Sequence, residues 1–172
     1  MASLFGDKQR FAAEVGEFSV GATQLRRVDL WAAGLWLTCD DNTAFVPQFC
    51  LSLQGDISEF RAGRLPLAEF PEMPHADRHR RVLLLDDDTY WRHRFPDWGP
   101  TTDNLRGLLL RAGKQLVLTF EFWRKAHPRP AELGTVFVAE LTESELLSVL
   151  CDVVATLGCS PAPTRSRSRW GD

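Results

Sequence analysis

Apolar and polar positions alternate most regularly between residues 105 and 123. Leu116, Leu118, Phe120 and Phe122 fall on one side of that stretch, with Val117, Thr119, Glu121 and Trp123 on the other. A period of two is that of a strand. Leu105–Leu110 forms a second such run, separated from the first by Arg111-Ala112-Gly113-Lys114. Two runs joined by a short Gly-containing link predict a β-hairpin. The period changes to 3.6 near the C-terminus. Leu146, Leu150, Val153 and Leu157 recur at helical spacing, with Leu147, Cys151 and Val154 beside them. Thr142 and Glu145 have the form of a capping box at the start, and Gly158 is placed to end the helix.

Elsewhere the pattern is shorter. Phe11, Ala13 and Val15 alternate with Arg10, Ala12 and Glu14, which predicts a half-buried strand. Gly16 and Gly21 place a turn or bulge just beyond it. From Leu25 to Thr38 the chain is extended, but its phase flips around Ala32-Ala33-Gly34, so a bulge or hairpin turn is expected there. Asp40-Asp41-Asn42 reads as a turn. Residues 43–60 are ambiguous: Phe45, Phe49 and Leu53 suit a helix that begins near Pro47 and ends at Gly55. Residues 63–77 read as an irregular connection, and residues 90–100 as an aromatic, Pro-rich loop. Val82-Leu83-Leu84-Leu85 reads as a buried central strand. Residues 135–140 form a further strand. The fold class that follows is α+β, an antiparallel or mixed sheet packed by the C-terminal amphipathic helix. Residues 1–159 are read as a single domain and 160–172 as a disordered Pro/Ser/Arg tail.

Composition narrows the class. The 172 residues are 44% hydrophobic and 25% charged, ordinary values for a globular protein. A net charge of −3 argues against a dedicated nucleic-acid binder. No apolar run reaches the roughly 20 residues that span a bilayer, and the N-terminus lacks a signal-peptide layout. The four cysteines, Cys39, Cys50, Cys151 and Cys159, form no CxxC pair and lie in or beside apolar stretches. They are read as reduced thiols of a cytoplasmic protein.

Three clusters could carry chemistry. His75, Asp77 and His79 stand at alternate positions and would share one face of a strand, where they could hold a metal, with His93 as a further ligand. Their arginine-rich surroundings oppose a cation. Asp86, Asp87 and Asp88 end an apolar run and could ligate Mg²⁺, but no phosphate-binding loop accompanies them. A solvated acidic turn is the simpler reading. Together these groups offer a small metal-dependent hydrolase as one function. The stretch from Asp86 to Asp103 also clusters acids with Trp91 and Trp98, and Trp is favoured at binding hot spots. Asp86, Asp87, Asp88, Trp91, Asp97 and Trp98 are therefore expected to bind a partner, and Trp123 could join them. No cofactor is expected. Arg165, Arg167 and Arg169 read as a solubilising tail.

The opening run Phe5-Gly6-Asp7-Lys8-Gln9-Arg10-Phe11-Ala12 resembles the start of a family of bacterial polymorphic-toxin immunity proteins, whose members open with Phe-Gly-Asp and then Arg-Phe-Ala before the first strand. The resemblance implies a small α+β, non-enzymatic, cytoplasmic antidote that occludes one cognate toxin protein. A non-catalytic regulatory binding module is the other reading of the same features. Gly6-Asp7 is a turn signal, and Phe5 and Phe11 are placed to anchor strand ends, so the motif is expected to define the fold and not the binding face.

Overall fold

The computed structural model describes residues 2–160. The opening motif shows why the first strands form. β1 (Ser3–Asp7) and β2 (Phe11–Phe18) pair antiparallel across a turn in which Asp7 does two jobs. Its Oδ1 accepts the Gln9 N–H at 2.8 Å, and its carbonyl accepts the Arg10 N–H at 2.9 Å. Gly6 has φ +84°, and a Cβ there would stand 2.4 Å from the Phe11 carbonyl and 2.6 Å from Val149. Only glycine lets this strand and the C-terminal helix approach so closely. Arg10 ties the same turn to two distant elements, donating to the Glu140 carbonyl at 3.1 Å and pairing with Glu145. The motif residues thus hold the fold together.

β2 continues into a register shift between Val15 and Phe18, where the glycine-flanked bulge was expected. β3 (Leu25–Ala32) pairs with β2 and turns at Ala33 and Gly34, both at positive φ (50° and 75°), into β4 (Leu35–Trp36). β5 (Thr43–Phe45) also pairs with β3. The second sheet is β6 (Leu105–Ala112), β7 (Gln115–Phe122) and β8 (Phe137–Leu141) in that order. Every named strand pair is antiparallel, so the fold is α+β with two antiparallel sheets.

Among the described residues four α-helices pack around them. α1 (Val46–Arg61) has Pro47 in its first turn, but it runs through Gly55 and ends at Arg61. Gly55 lowers helix propensity by only about 1 kcal/mol, which the burial of Phe49, Leu53, Ile57 and Phe60 outweighs. α4 (Glu143–Leu157) has its capping box complete, and Gly158 closes it at φ 68°. α4 packs on β1, β2 and α1. Leu146, Leu150, Val153 and Leu157 enter one core with Phe11, Val15, Leu30, Leu118 and Phe120.

Residues 75–85 depart from expectation. His75–Leu83 is a helix, α2, not an irregular segment followed by a strand. Val82 is its buried anchor against Leu108 and Leu110, whereas Leu84 lies beyond the helix and is exposed. A four-residue apolar run is too short for periodicity to distinguish strand from helix. Arg78 fixes the choice: its buried guanidinium donates to the carbonyls of Phe70, Pro71 and Met73 at 3.1, 2.7 and 3.0 Å, which ties the preceding loop to the helix. Residues 89–93 are also helical (α3, Thr89–His93) within the segment read as a loop.

The cysteines also correct the sequence reading. Cys50 of α1 and Cys159 after α4 form a disulfide, while Cys39 and Cys151 are free thiols. Cys50 lies in the shared core and the partly buried Cys159 packs against it, where the α1–α4 packing sets their Cα atoms 5.5 Å apart. The Arg/Ser tail lies, from residue 161 onward, outside the described residues.

Two measurements test this architecture. Under non-reducing denaturing conditions a thiol reagent should modify two cysteines per chain, and four after reduction. With the partners 109 positions apart in sequence, reduction should lower unfolding free energy by about 4–5 kcal/mol in denaturant titrations. Gly6→Ala should cost about 2–5 kcal/mol, because backbone strain and a steric overlap coincide; an unchanged denaturation midpoint would contradict the close approach to Val149.

Candidate functional site

The segment between α2 and β6 is pinned from beneath and open above. Phe95 and Trp98 are core residues, with ring centroids 5.3 Å apart in an edge-on arrangement. Trp98 is 2% exposed and its indole N–H donates to the Asp56 carboxylate of α1 at 2.8 Å. Trp98 therefore leaves the set of exposed anchors. It packs edge-on against Phe49 and Phe11, and that aromatic nucleus holds the segment in place.

Above it lies an open cleft of about 750 Å³, walled by Leu83, Leu85, Asp86, Asp87, Tyr90 and Trp91 on one side and by Leu105, Arg106, Trp123 and Arg124 on the other, with Arg94 and Asp103 also lining it. Trp91 is 57% exposed and Trp123 46%. Each indole is flanked by a guanidinium: Arg94 lies 5.3 Å from the Trp91 ring, and Arg106 and Arg124 lie 5.6 and 5.8 Å from the Trp123 ring. The Trp123 indole N–H donates to the Asp103 carbonyl at 2.8 Å. The two half-exposed rings are thus held by cation–π contacts, and Trp123 also by its hydrogen bond.

Charge in the cleft is mixed. Arg94 pairs with Asp97 at 3.2 Å and Asp103 at 3.7 Å, and Arg124 reaches Asp103 at 3.9 Å. Arg106 pairs with Glu121 at 3.3 Å. Asp97 is half-buried in this network, whereas Asp86, Asp87 and Asp88 are exposed. Asp87 accepts the Thr89 N–H at 2.8 Å, and this hydrogen bonding holds its carboxyl below the usual range. It therefore also secures the start of α3. The structure brings Asp86, Asp87, Trp91 and Asp97 to one region and adds Arg94, Asp103, Arg106 and Arg124, which no spacing in the sequence links to them.

His75, Asp77 and His79 lie on α2, so the shared strand face does not exist. Asp77 is exposed, whereas His79 is buried and its Nδ1 lies 2.9 Å from the Thr119 hydroxyl. His93 is buried too, with Nε2 3.9 Å from Glu69. Among the described residues the three potential ligands that converge are instead Cys39, Asp40 and His127. The Cys39 Sγ lies 3.4 Å from His127 Nδ1, and His127 Nε2 lies 2.9 Å from Glu132. The order Cys–His–Glu is that of an activated nucleophile. Burial and the neighbouring Asp40 push the Cys39 thiol up to about 11, opposite to what a nucleophile requires.

No family model matches the chain, and no curated protein does. Among solved structures the fold is similar to that of CdiI from Burkholderia dolosa. That likeness has a TM-score of 0.58 and 14% identity, and it covers 90% of this chain and 99% of that one. At this identity the likeness is one of fold, and it extends over nearly all of both molecules.

Beneath the cleft wall, burial and then the cations Arg80 and Arg106 lower the His79 pKa to about 4. The unfolded chain binds this proton near 6.5, so between pH 6.5 and 4 it holds more protons than the folded chain. Stability should fall as pH drops through that window, by about 3 kcal/mol in all. His79→Gln, which keeps a donor for Thr119 but does not titrate, should flatten this acid limb in denaturant titrations from pH 7 to pH 4. An unchanged limb would assign the acid sensitivity elsewhere.

Proposed function

We propose that this protein is an immunity protein that binds one cognate toxin protein and blocks it by stoichiometric occlusion. The observation that carries this reading is the fold it shares, along nearly its whole length, with CdiI, an immunity protein of contact-dependent growth inhibition. The opening Phe-Gly-Asp and Arg-Phe-Ala motif points the same way. No helix among the described residues is long and apolar enough to cross a membrane. The protein acts in the cytoplasm, without catalysis, on a protein partner and not on nucleic acid or membrane. A cytoplasmic address and the Cys50–Cys159 disulfide pull in opposite directions; the pair lies on the α1–α4 side of the core, so the binding face does not depend on it.

The binding face is the cleft with its rim, Asp86, Asp87, Asp88, Trp91 and Asp97, joined by Trp123. Two half-exposed indoles supply apolar area that a partner would desolvate. The mixed charge around them suits a partner with an equally mixed and complementary pattern. Asp87 is a poor position for testing the contact, since its removal also unties Thr89. Trp91 and Asp86 are better.

The test is co-expression with the product of the neighbouring open reading frame, or with its C-terminal domain. Growth should be rescued and a one-to-one complex recovered. Trp91→Ala should cost about 2 kcal/mol or more in binding, a loss of roughly thirtyfold, and Asp86→Ala less. If growth is not rescued despite soluble expression, the immunity reading falls. If growth is rescued while Trp91→Ala and Trp123→Ala bind with wild-type affinity, the reading stands and the assigned face is wrong.

A further inference from the structure

We infer that Cys39, Asp40 and His127 form a binding site for one borderline-soft divalent cation, zinc in type, at the seam between the two sheets. This inference is independent of the proposed function. Cys39 follows β4, on the first sheet; His127 follows β7, on the second. They stand 88 positions apart in sequence, so no motif spacing advertises the site.

The distances already suit a tetrahedral ion. With metal–sulfur bonds of about 2.3 Å and metal–nitrogen or metal–oxygen bonds of about 2.0–2.1 Å, a sulfur and a neighbouring ligand atom stand about 3.5 Å apart. Cys39 Sγ is 3.4 Å from His127 Nδ1 and 3.7 Å from Asp40 Oδ1. All three ligand atoms lie within 4.8 Å of one another. The remaining closure belongs to Asp40, which is exposed and can turn its carboxylate.

The surroundings prepare these ligands. Glu132 accepts from His127 Nε2 at 2.9 Å, so the proton sits on that nitrogen and the Nδ1 lone pair faces the sulfur. A metal-binding histidine is commonly oriented in this way by a carboxylate on its far nitrogen. The imidazole is further held by stacking on Phe122, with centroids 4.1 Å apart. Asn104 is 98% buried by its 2% exposure; its Nδ2 donates to the Leu37 carbonyl at 2.9 Å and approaches Cys39 Sγ at 3.7 Å. The other atom of the same amide, Oδ1, is buried without a hydrogen-bond partner among the described residues. A water completing the cation's coordination would be a donor of the kind it lacks.

Binding is a ligand exchange with simple balance. Cys39 loses its S–H proton to solvent, Asp40 is already a carboxylate, and His127 binds through a neutral nitrogen. One thiolate and one carboxylate neutralise the dication. The bound ion would tie the Asp40 turn to the segment carrying Glu132, beyond the Trp123–Arg124 wall of the cleft.

The experiment uses tag-free, metal-stripped full chain titrated with Co²⁺ as a spectroscopic probe and then with Zn²⁺. One cobalt per chain should bind with a thiolate-to-cobalt charge-transfer band in the near ultraviolet, and zinc should abolish it. Cys39→Ser should remove the band, Asp40→Asn should weaken binding roughly tenfold, and Cys151→Ser should change neither. Glu132→Gln should keep the band but weaken affinity about 10–100-fold, as loss of an orienting carboxylate does. Circular dichroism checks each variant's fold, and Asp40→Asn, at an exposed position, remains informative if Cys39→Ser unfolds. No band in the wild-type chain, a band that survives Cys39→Ser, or one lost in Cys151→Ser overturns the inference.

Discussion

The indole N–H of Trp98 donating to the buried Asp56 carboxylate at 2.8 Å is the contact on which the cleft and the segment beneath it depend. A carboxylate removed from water is expensive unless its hydrogen bonds are met inside. Meeting that need with a tryptophan links α1 to the 94–104 segment and buries a large ring in the same step. Phe95 then packs against Phe60 and Phe11 with centroids 6.0 Å apart in each case. The backbone on either side cannot drift without breaking this nucleus. Trp91 and Arg94 lie just before it, and Asp103 and Arg106 just after. The cleft is therefore held by a rigid floor, although most of its lining comes from loops and a one-turn helix.

A second constraint closes the opposite side. Gly6 admits Val149, Arg10 reaches Glu140 and Glu145, and Glu145 completes the cap of α4. The N-terminal hairpin, the last strand and the last helix thus share one polar knot around Arg10. The disulfide joins α1 to the far end of α4. The first strands and the end of α4 are consequently stitched to the same layer, which leaves the second sheet's outer face to α2 and α3.

Where sequence and structure agree, local signals and burial point the same way. The 105–123 hairpin has both a period of two and a Gly-bearing turn, and α4 has a period of 3.6 with both caps present. Leu116, Leu118, Phe120 and Phe122 enter the shared core, as their alternation requires. Agreement fails where a side chain takes a partner distant in sequence. Arg78 organises a loop through three backbone carbonyls, which no pattern in a polar stretch announces. Trp98 and Trp91 look alike in the sequence, yet one meets Asp56 and is buried while the other meets Arg94 and stays exposed. Cys50 and Cys159 lie in separate apolar stretches, and only the α1–α4 packing brings them together.

The residues that define the fold are largely distinct from those around the cleft. Gly6, Arg10, Phe11, Trp98 and the α4 cap are fixed by sterics, aromatic packing or buried polar contacts, each costly to change. Asp86, Asp88 and Trp91 are exposed. Substitution there costs the fold little. A scaffold arranged in this way can change its partner without changing its core. A whole-length likeness of fold at 14% identity is consistent with that division. On the proposed binding face, specificity would reside in a few rim side chains whose charges match one partner and clash with others.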